Sequence, residues 1–79
     1  MTITYDPRYN IAYFRLKEKT TGVESIRVSD ELVIDMTPNG EIYGIELLNA
    51  NEQLTHDLGK LLFVNEASGD TTEIELPIK

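Results

Sequence analysis

The chain has one histidine and no cysteine, and this limits the chemistry that its side chains could perform. A Ser-His-Asp triad would have to centre on His56, which lies in a polar stretch far in sequence from Ser25, Ser29 and Ser68. No G-x-S-x-G segment is present to expose a serine nucleophile at a strand-to-helix turn. We therefore interpret His56 as a solvated surface residue and predict no catalytic residue.

Metal and cofactor sites are also disfavoured by the composition. Zinc sites need several cysteine or histidine ligands, which this chain cannot supply. Calcium and magnesium bind clustered carboxylate oxygens, but the sequence contains no D-x-D-x-D-G loop. We therefore predict neither a metal ion nor a cofactor.

Four charged residues at alternating positions form a candidate polar site. Arg15, Arg27, Asp35 and Glu46 would share one face of a sheet if each lies on its own strand. The simpler interpretation is a ladder of cross-strand ion pairs, each worth about 0.2–1 kcal/mol and less where exposed. The alternative is a small-ligand-binding or enzymatic site, in which the two carboxylates would need separated pKa values.

Aromatic and aliphatic side chains near the polar residues predict a protein interface. Tyrosine beside arginine is a combination enriched in binding hot spots, although tyrosines at hairpin ends also cover the rim of a core. The aliphatic side chains lie opposite the predicted core face and, with Leu48, would leave an apolar patch exposed in a monomer. The predicted interface residues are Tyr9, Ile11, Tyr13, Val33 and Ile42.

The same patch raises the question of what covers it. The C-terminal segments contain enough apolar residues to cover one face of a sheet, but their own alternation also indicates an outer side. A second chain is the other solution. We predict a homodimer, because two-fold pairing is the commonest closed arrangement and adds core to a small domain.

Alternation and turn residues predict the strands that must position these groups. Isoleucine, valine and threonine greatly outnumber alanine, which favours strands over helices. The turn Thr37-Pro38-Asn39-Gly40 predicts a hairpin, and Asn49 as an N-cap predicts a short helix that ends near Gly59. The predicted strands are 2–5, 11–17, 22–29, 31–37, 41–48, 61–66 and 71–78.

These elements predict one mostly-β domain over residues 1–79. We expect an antiparallel meander of about five strands, one short helix near 50–58 and a C-terminal β-hairpin that closes over the core. Gly44 lies within a strand, where glycine marks either a bulge or the close approach of another group. The predicted core residues are Ile3, Phe14, Leu16, Ile26, Val28, Leu32, Ile34, Met36, Ile45, Leu47, Leu54, Phe63, Ile74 and Leu76.

Several stretches resemble a known prokaryotic family. The first strands contain YDP and AYFRL, similar to the "Y-D-P" and "D-x-x-Y-I-R-L" pattern of the family catalogued as domain of unknown function 2283. Residues 28–35 (VSDELVID) and 40–50 (GEIYGIELLNA) resemble its "V-S-D-x-x-V-x-D" and "G-x-I-x-G-I-E-I-L-x-A" stretches. Asn10 departs from the acidic residue usual before the second strand. The resemblance implies a small, mostly-β protein without an established activity, often encoded beside predicted ribonuclease-type toxins.

The charge distribution narrows the choice of partners. Residues 1–27 contain five basic and three acidic residues, whereas residues 28–79 contain two basic and eleven acidic residues. Such an acidic surface repels nucleic acid and suits a basic protein, although it also simply favours solubility. No segment predicts a membrane span or a signal peptide, so we expect a cytoplasmic chain.

Together these observations predict a non-catalytic, small acidic protein-binding module. It would be an antitoxin-like partner of a basic protein or a self-associating structural domain. The alternative is a small-ligand-binding or enzymatic domain that uses the polar sheet face.

Overall fold

The computed structural model describes residues 1–18, 20–55 and 59–78. The strands and the helix follow the order β1 (Thr2–Asp6), β2 (Ile11–Arg15), β3 (Glu24–Ser29), β4 (Leu32–Met36), β5 (Ile42–Leu48), α1 (Ala50–Gln53), β6 (Lys60–Val64) and β7 (Thr71–Glu75). His56 and Leu58 lie outside the described residues, as does the end of the predicted helix. No helix in the described part has the length and apolar character needed to cross a bilayer.

The predicted fold class is confirmed, with an antiparallel five-stranded sheet, one short helix and a separate antiparallel hairpin of β6 and β7. The order of strands in the large sheet is β1-β2-β5-β4-β3. β2 therefore neighbours β5, whereas a meander would place it beside β3. The connection between β2 and β3 therefore crosses the sheet from the second strand to the opposite edge. The alternation of residues within a strand does not predict which strands become neighbours.

Cross-strand pairs define two faces of the sheet, because directly opposed residues point to the same side. We call one side the apolar face; a row of it runs through all five strands as Ile3, Phe14, Ile45, Ile34 and Ile26. We call the other side the polar face; its two central rows are Thr2, Arg15, Gly44, Asp35, Ser25 and Thr4, Tyr13, Glu46, Val33, Arg27. The predicted facing of Leu32, Ile34 and Met36 in β4 is thus correct.

Two irregularities change the predicted facing of single residues. Asp35 pairs with Gly44 but Met36 pairs with Ile42, so Tyr43 is the extra residue of a bulge. Ile42 consequently lies on the apolar face and Tyr43 lines the polar face, both opposite to the prediction. In β3, Val28 is the extra residue between two paired neighbours and is 55% exposed.

The core is smaller than predicted. Within the described ranges, the buried hydrophobic residues are Ala12, Val33 and Ala50. Of the predicted core residues, Phe14, Leu32, Ile34, Met36, Ile45, Leu47, Leu54 and Leu76 are half-buried. The prediction is wrong for the exposed residues Ile3, Leu16, Ile26, Val28, Phe63 and Ile74. Ile3 and Ile26 are exposed because little packs on the apolar face, Val28 lies at a bulge, and Phe63 and Ile74 belong to the separate hairpin.

Val33 is buried although its position is on the polar face. Its cross-strand neighbours are Arg27 on one side and Glu46 on the other. Both are long side chains whose methylene groups can cover a shorter neighbour. Val33 is therefore enclosed within this chain and is 8% exposed.

The hairpin of β6 and β7 covers only one corner of the sheet. Leu61 and Ile74 oppose each other across the hairpin and line a small apolar pocket with Ile3 and Phe14 of the sheet. Every residue of β6 and β7 is nonetheless exposed. The hairpin does not close over the rest of the apolar face as predicted.

Candidate functional site

The polar face contains the four charged residues predicted as a site. Arg15 lies opposite Gly44, Arg27 lies opposite Val33, and Asp35 lies opposite Gly44 from the other side. None of the four forms an ion pair with another residue of the described ranges. The predicted ladder of ion pairs is therefore not formed there, because uncharged residues separate the opposite charges.

Asp35 instead accepts two hydrogen bonds from hydroxyl groups. Tyr13 Oη donates to Asp35 Oδ2 over 2.6 Å, and Ser25 Oγ donates to Asp35 Oδ1 over 2.6 Å. The cluster joins β2, β4 and β3 on one face. Both carboxylate oxygens are occupied, which suits a role in aligning strands.

Gly44 makes the hydrogen bond between Tyr13 and Asp35 possible. The two residues lie on β2 and β4, with β5 between them, so the tyrosine side chain must cross β5. A Cβ atom on Gly44 would lie 2.6 Å from Tyr13 Cζ and 2.8 Å from the Phe14 carbonyl oxygen. Both interpretations of this glycine hold, because it adjoins a bulge and also accommodates a bulky side chain.

The environment of Tyr13 stabilises its protonated form. Burial raises the pKa of the Tyr13 hydroxyl, and the hydrogen bond to the Asp35 carboxylate raises it further. Tyr13 therefore acts as a permanent hydrogen-bond donor at neutral pH. Beside it, Thr2, Thr4, Arg15 and Tyr43 line a shallow open groove in which Arg15 supplies the positive charge.

A second polar cluster lies where the β1–β2 turn meets the start of α1. Asn10 Nδ2 donates to Asn51 Oδ1 over 2.7 Å and to Asn49 Oδ1 over 3.2 Å. Asn10 Oδ1 accepts from the Asn51 backbone N–H over 2.8 Å and from Tyr5 Oη over 3.3 Å. We call Asn10, Asn49 and Asn51 the asparagine junction. It caps the helix from a distant turn, whereas the Asn49 side chain forms no cap of its own.

Exposed carboxylates lie on α1 and on the turn that Gln53 of α1 contacts. Asp30 and Glu31 lie in the β3–β4 turn and Glu52 lies in α1, and all three are exposed. Gln53 Nε2 donates to the Glu31 carbonyl oxygen over 2.9 Å, which holds the turn against the helix. None of these carboxylates forms an ion pair with a described residue. We call Asp30, Glu31 and Glu52 the acidic end.

The basic residues with an ion-pair partner bind carboxylates other than those of the acidic end. Arg8 binds Asp6 at 3.0 Å and lowers the pKa of that carboxyl, while Lys17 binds Glu41 at 2.9 Å and lowers the pKa of Glu41. Lys60 lies 3.5 Å from Glu73 in the hairpin. In the part of the chain that the structure describes, no group of histidine, cysteine, aspartate and glutamate side chains could hold a metal ion.

Comparison with known proteins places the sheet in a family. Residues 2–51 match the model of the family described as protein of unknown function DUF2283. The chain belongs to the DUF2283 family. None of the curated proteins and none of the solved structures matches it. The matched residues of this DUF2283 chain contain all five strands of the large sheet and the start of α1, and both polar clusters lie within them.

The residues predicted as an interface do not form one patch on the DUF2283 sheet. Ile11, Tyr13 and Val33 lie on the polar face, Ile42 lies on the apolar face, and Tyr9 lies in the β1–β2 turn. Tyr9 is 71% exposed, and the Arg8 guanidinium lies 5.7 Å from the centre of its ring. Tyr9 adjoins the asparagine junction through its neighbour Asn10, so it belongs to the same end of the molecule as the acidic end.

Proposed function

We propose that this DUF2283 chain is a non-catalytic, cytoplasmic protein-binding module that recognises a basic protein with its acidic end. The observation that carries the proposal is the set of three exposed carboxylates on two elements, held together by hydrogen bonds and without ion-pair partners in the described part. Complementary charge accelerates encounter and disfavours wrong partners. A basic protein toxin would be a partner of this kind, which would make the chain antitoxin-like.

The rigidity of this surface supports the proposal. The asparagine junction fixes α1 to the β1–β2 turn, and the contact of Gln53 with Glu31 fixes it to the β3–β4 turn. A partner would therefore meet carboxylates on a backbone that is already arranged, which reduces the entropy lost on binding. Tyr9 adds an exposed aromatic side chain at the rim, a residue type enriched in hot spots.

The polar face offers less support for a ligand or enzymatic site. Both oxygens of Asp35 already accept hydrogen bonds, and they accept them from within the protein. Arg15, Arg27 and Glu46 lie on different strands, and none of them forms an ion pair or a side-chain hydrogen bond with another of the four charged residues in the described ranges. A catalytic pair would need two groups within reach of one reacting atom.

The test is affinity capture from the organism that encodes the chain, with a charge-matched control. The variant Asp30→Asn/Glu31→Gln/Glu52→Gln neutralises the acidic end. The control Glu66→Gln/Asp70→Asn/Glu75→Gln removes the same charge from the exposed hairpin. The wild-type chain and the control should capture one stoichiometric basic protein, whereas the acidic-end variant should bind it at least about tenfold more weakly.

Salt provides a second criterion in the same experiment. Binding through exposed charges should weaken as sodium chloride rises, because counterions screen the attraction. Equal loss in both variants would show that only net charge matters and would contradict a specific acidic end. Capture of no basic protein by the wild-type chain would also contradict the proposal.

A further inference from the structure

The apolar face of the five-stranded sheet is long, nearly uncharged and largely uncovered. Along the strands it carries isoleucine, leucine, methionine and phenylalanine, and Glu24 at the edge is its charged member among the described strand residues. Ile26 is 48% exposed and Ile42 is 42% exposed. Surfaces of this kind are costly in water and mark sites of association.

The chain covers only part of this face with its own elements. The hairpin contacts the corner formed by Ile3 and Phe14, while Ile42 on the central strand and Ile26 on the opposite edge strand remain exposed. The hairpin itself exposes Leu62 and Phe63, which are 56% and 66% accessible. A two-stranded hairpin is marginal alone in water, so it too needs a further surface to pack against.

The accessible surface area of the chain is larger than that of a compact monomer of the same mass. The chain exposes 6076 Å², whereas a compact monomer of 9.0 kDa exposes about 4,900 Å². Its radius of gyration is 14.1 Å, against about 12 Å for a compact chain of this length. If two copies each buried an excess of about 1,200 Å², they would bury about 2,400 Å² together, within the range of obligate homodimers.

We propose that a second copy of this chain covers the apolar face, so that the protein is a two-fold dimer with two sheets packed face to face. A second copy has the same exposed apolar face and the same excess of accessible surface, so each copy can cover the other. A chain with a net charge of −7 can approach its copy on this face because the strands there carry little charge. Dimerisation completes the hydrophobic core, and the dimer is permanent because the core of one chain alone is small.

This dimer differs from the one that the sequence predicts. Val33, placed at the predicted interface, is enclosed by Arg27 and Glu46 within one chain. The interface lies instead on the opposite side of the sheet, through the half-buried row of Phe14, Ile34 and Ile45 and the exposed residues beside it. The acidic end is formed by the β3–β4 turn and α1, and none of its three carboxylates belongs to the strands of this face.

Sedimentation of matched variants of the full chain tests the proposal. The wild-type chain should sediment with twice the 9.0 kDa chain mass. Ile26→Asp/Ile42→Asp places two charges on the apolar face at exposed positions and should raise the dimer dissociation constant at least about 100-fold. The control Thr2→Asp/Thr4→Asp adds the same charge at exposed positions of the polar face and should remain a dimer.

A second measurement does not depend on whether the aspartate variant folds. The chain has no cysteine, so Ile42→Cys and Thr4→Cys each introduce a single thiol. The Ile42→Cys thiol should react with a maleimide at least about tenfold more slowly than the Thr4→Cys thiol, and dilution below the dissociation constant should remove the difference. The Tm of the wild-type chain should also rise with protein concentration.

Three outcomes overturn the inference. The first is a folded wild-type chain that sediments as a monomer at high concentration. The second is a dimer that survives Ile26→Asp/Ile42→Asp but is lost in Thr2→Asp/Thr4→Asp. The third is equal reactivity of the two thiols at every concentration. None of these outcomes bears on capture of a basic protein by the acidic end, which the charge-matched variants above test separately.

Discussion

Tyr13 reaches Asp35 across an intervening strand, and this single hydrogen bond connects β2 with β4 above Gly44. Its geometry is short and its acceptor is a carboxylate, both of which strengthen a hydrogen bond. Ser25 occupies the other oxygen, so that β2 and the edge strand β3 share one acceptor on β4. The cluster therefore fixes the relative position of three strands.

Replacing Tyr13 with phenylalanine should reveal this role through its pH dependence. The variant removes the hydroxyl and should lower the free energy of unfolding by about 1 kcal/mol at about pH 8. The folded pKa of Tyr13 is raised above that of the unfolded chain. The stabilisation is therefore complete below about pH 10, where tyrosine is protonated in both states, and is lost as the pH rises through the folded pKa.

Urea denaturation at about pH 8 and about pH 11 measures the effect. The difference between the wild-type chain and Tyr13→Phe should shrink at the higher pH. Tyr9→Phe is the control, because Tyr9 is 71% exposed, and it should leave the free energy of unfolding unchanged at neutral pH. A difference between wild type and Tyr13→Phe that grows with pH would contradict the assignment of a protonated donor.

The sequence allowed part of this cluster to be predicted. Alternation places Tyr13, Ser25 and Asp35 on the same side of their strands, and Gly44 was recognised as a bulge or a close approach. Their hydrogen bonds could not be predicted, because they depend on β5 lying between β2 and β4. Alternation specifies which way a side chain points and leaves the order of strands open.

Among the elements, the helix α1 shows how a distant residue can replace a local cap. Asn49 has the residue type of an N-cap but adopts φ 54° and directs its side-chain amide to Glu52 Oε2 at 2.8 Å. Asn10, with φ 56°, accepts from the Asn51 backbone N–H instead. An asparagine suits this position because it tolerates the left-handed conformation and both donates and accepts hydrogen bonds.

Substitution of Asn10 should therefore separate the turn from the helix. Asn10→Ala should lower the free energy of unfolding by about 2–4 kcal/mol, since it removes several hydrogen bonds and strains the left-handed backbone. Asn10→Gly relieves the strain and should cost less. Asn10→Asp keeps the two accepted bonds and should also cost less than Asn10→Ala.

Asn65→Ala is the matched control for the asparagine variants. Asn65 Oδ1 accepts from the backbone N–H groups of Ala67 and Ser68 in the exposed hairpin turn. Its loss should cost about 1 kcal/mol or less in denaturant unfolding. An Asn10→Ala variant that is as stable as Asn65→Ala would show that the asparagine junction does not hold the helix.

The strands and turns can be predicted from the sequence, whereas the positions of the two β-bulges cannot. The hairpin at Thr37-Pro38-Asn39-Gly40 joins β4 and β5 as predicted, with Gly40 at φ 85°. Gly44 indicates a bulge as one possibility, but the position of the bulge at Tyr43 cannot be predicted, because Ile42 and Tyr43 are both large and apolar and a shift of one residue leaves an equally plausible pattern. The bulge at Val28 is concealed by polar neighbours on both sides.

The whole molecule carries more negative charge than its ion pairs can balance. Fourteen acidic residues face seven basic ones, and the ion pairs in the described ranges use three of each. Self-repulsion of this kind opposes the compact state and is screened by salt. Ion pairs at the surface also weaken with salt, but they contribute little.

Salt should consequently stabilise the protein. We expect the Tm to rise by several degrees when sodium chloride increases from about 20 mM to about 0.5 M, because the Debye length contracts from well over 10 Å to a few ångströms. Glu66→Lys/Asp70→Lys changes the net charge from −7 to −3 and should show a smaller rise. A Tm that falls with salt in a calorimetric scan would mean that attractive ion pairs outweigh the repulsion.

For the whole molecule, the burial of side chains is the property that is hardest to predict from the sequence. Period-two alternation correctly places Ile3, Ile26 and Ile34 on one face, but burial depends on what packs against that face. The hairpin contains enough apolar residues to serve as the cover, yet it docks only at the corner near Phe14. How far a separate hairpin covers a sheet depends on long-range packing that no local pattern records.

The bulge in β3 also bears on whether the sheet can grow into fibres. β3 is an outer strand, and a straight, apolar outer strand is a template on which further chains can add edge to edge. Val28 breaks the regular spacing of its backbone N–H and C=O groups, while Glu24 and Arg27 place charges along the same strand. These features disfavour edge-to-edge polymerisation through β3, the strand in which Ile26 is exposed. The molecule can therefore keep an exposed apolar face without offering β3 as a template for amyloid fibrils.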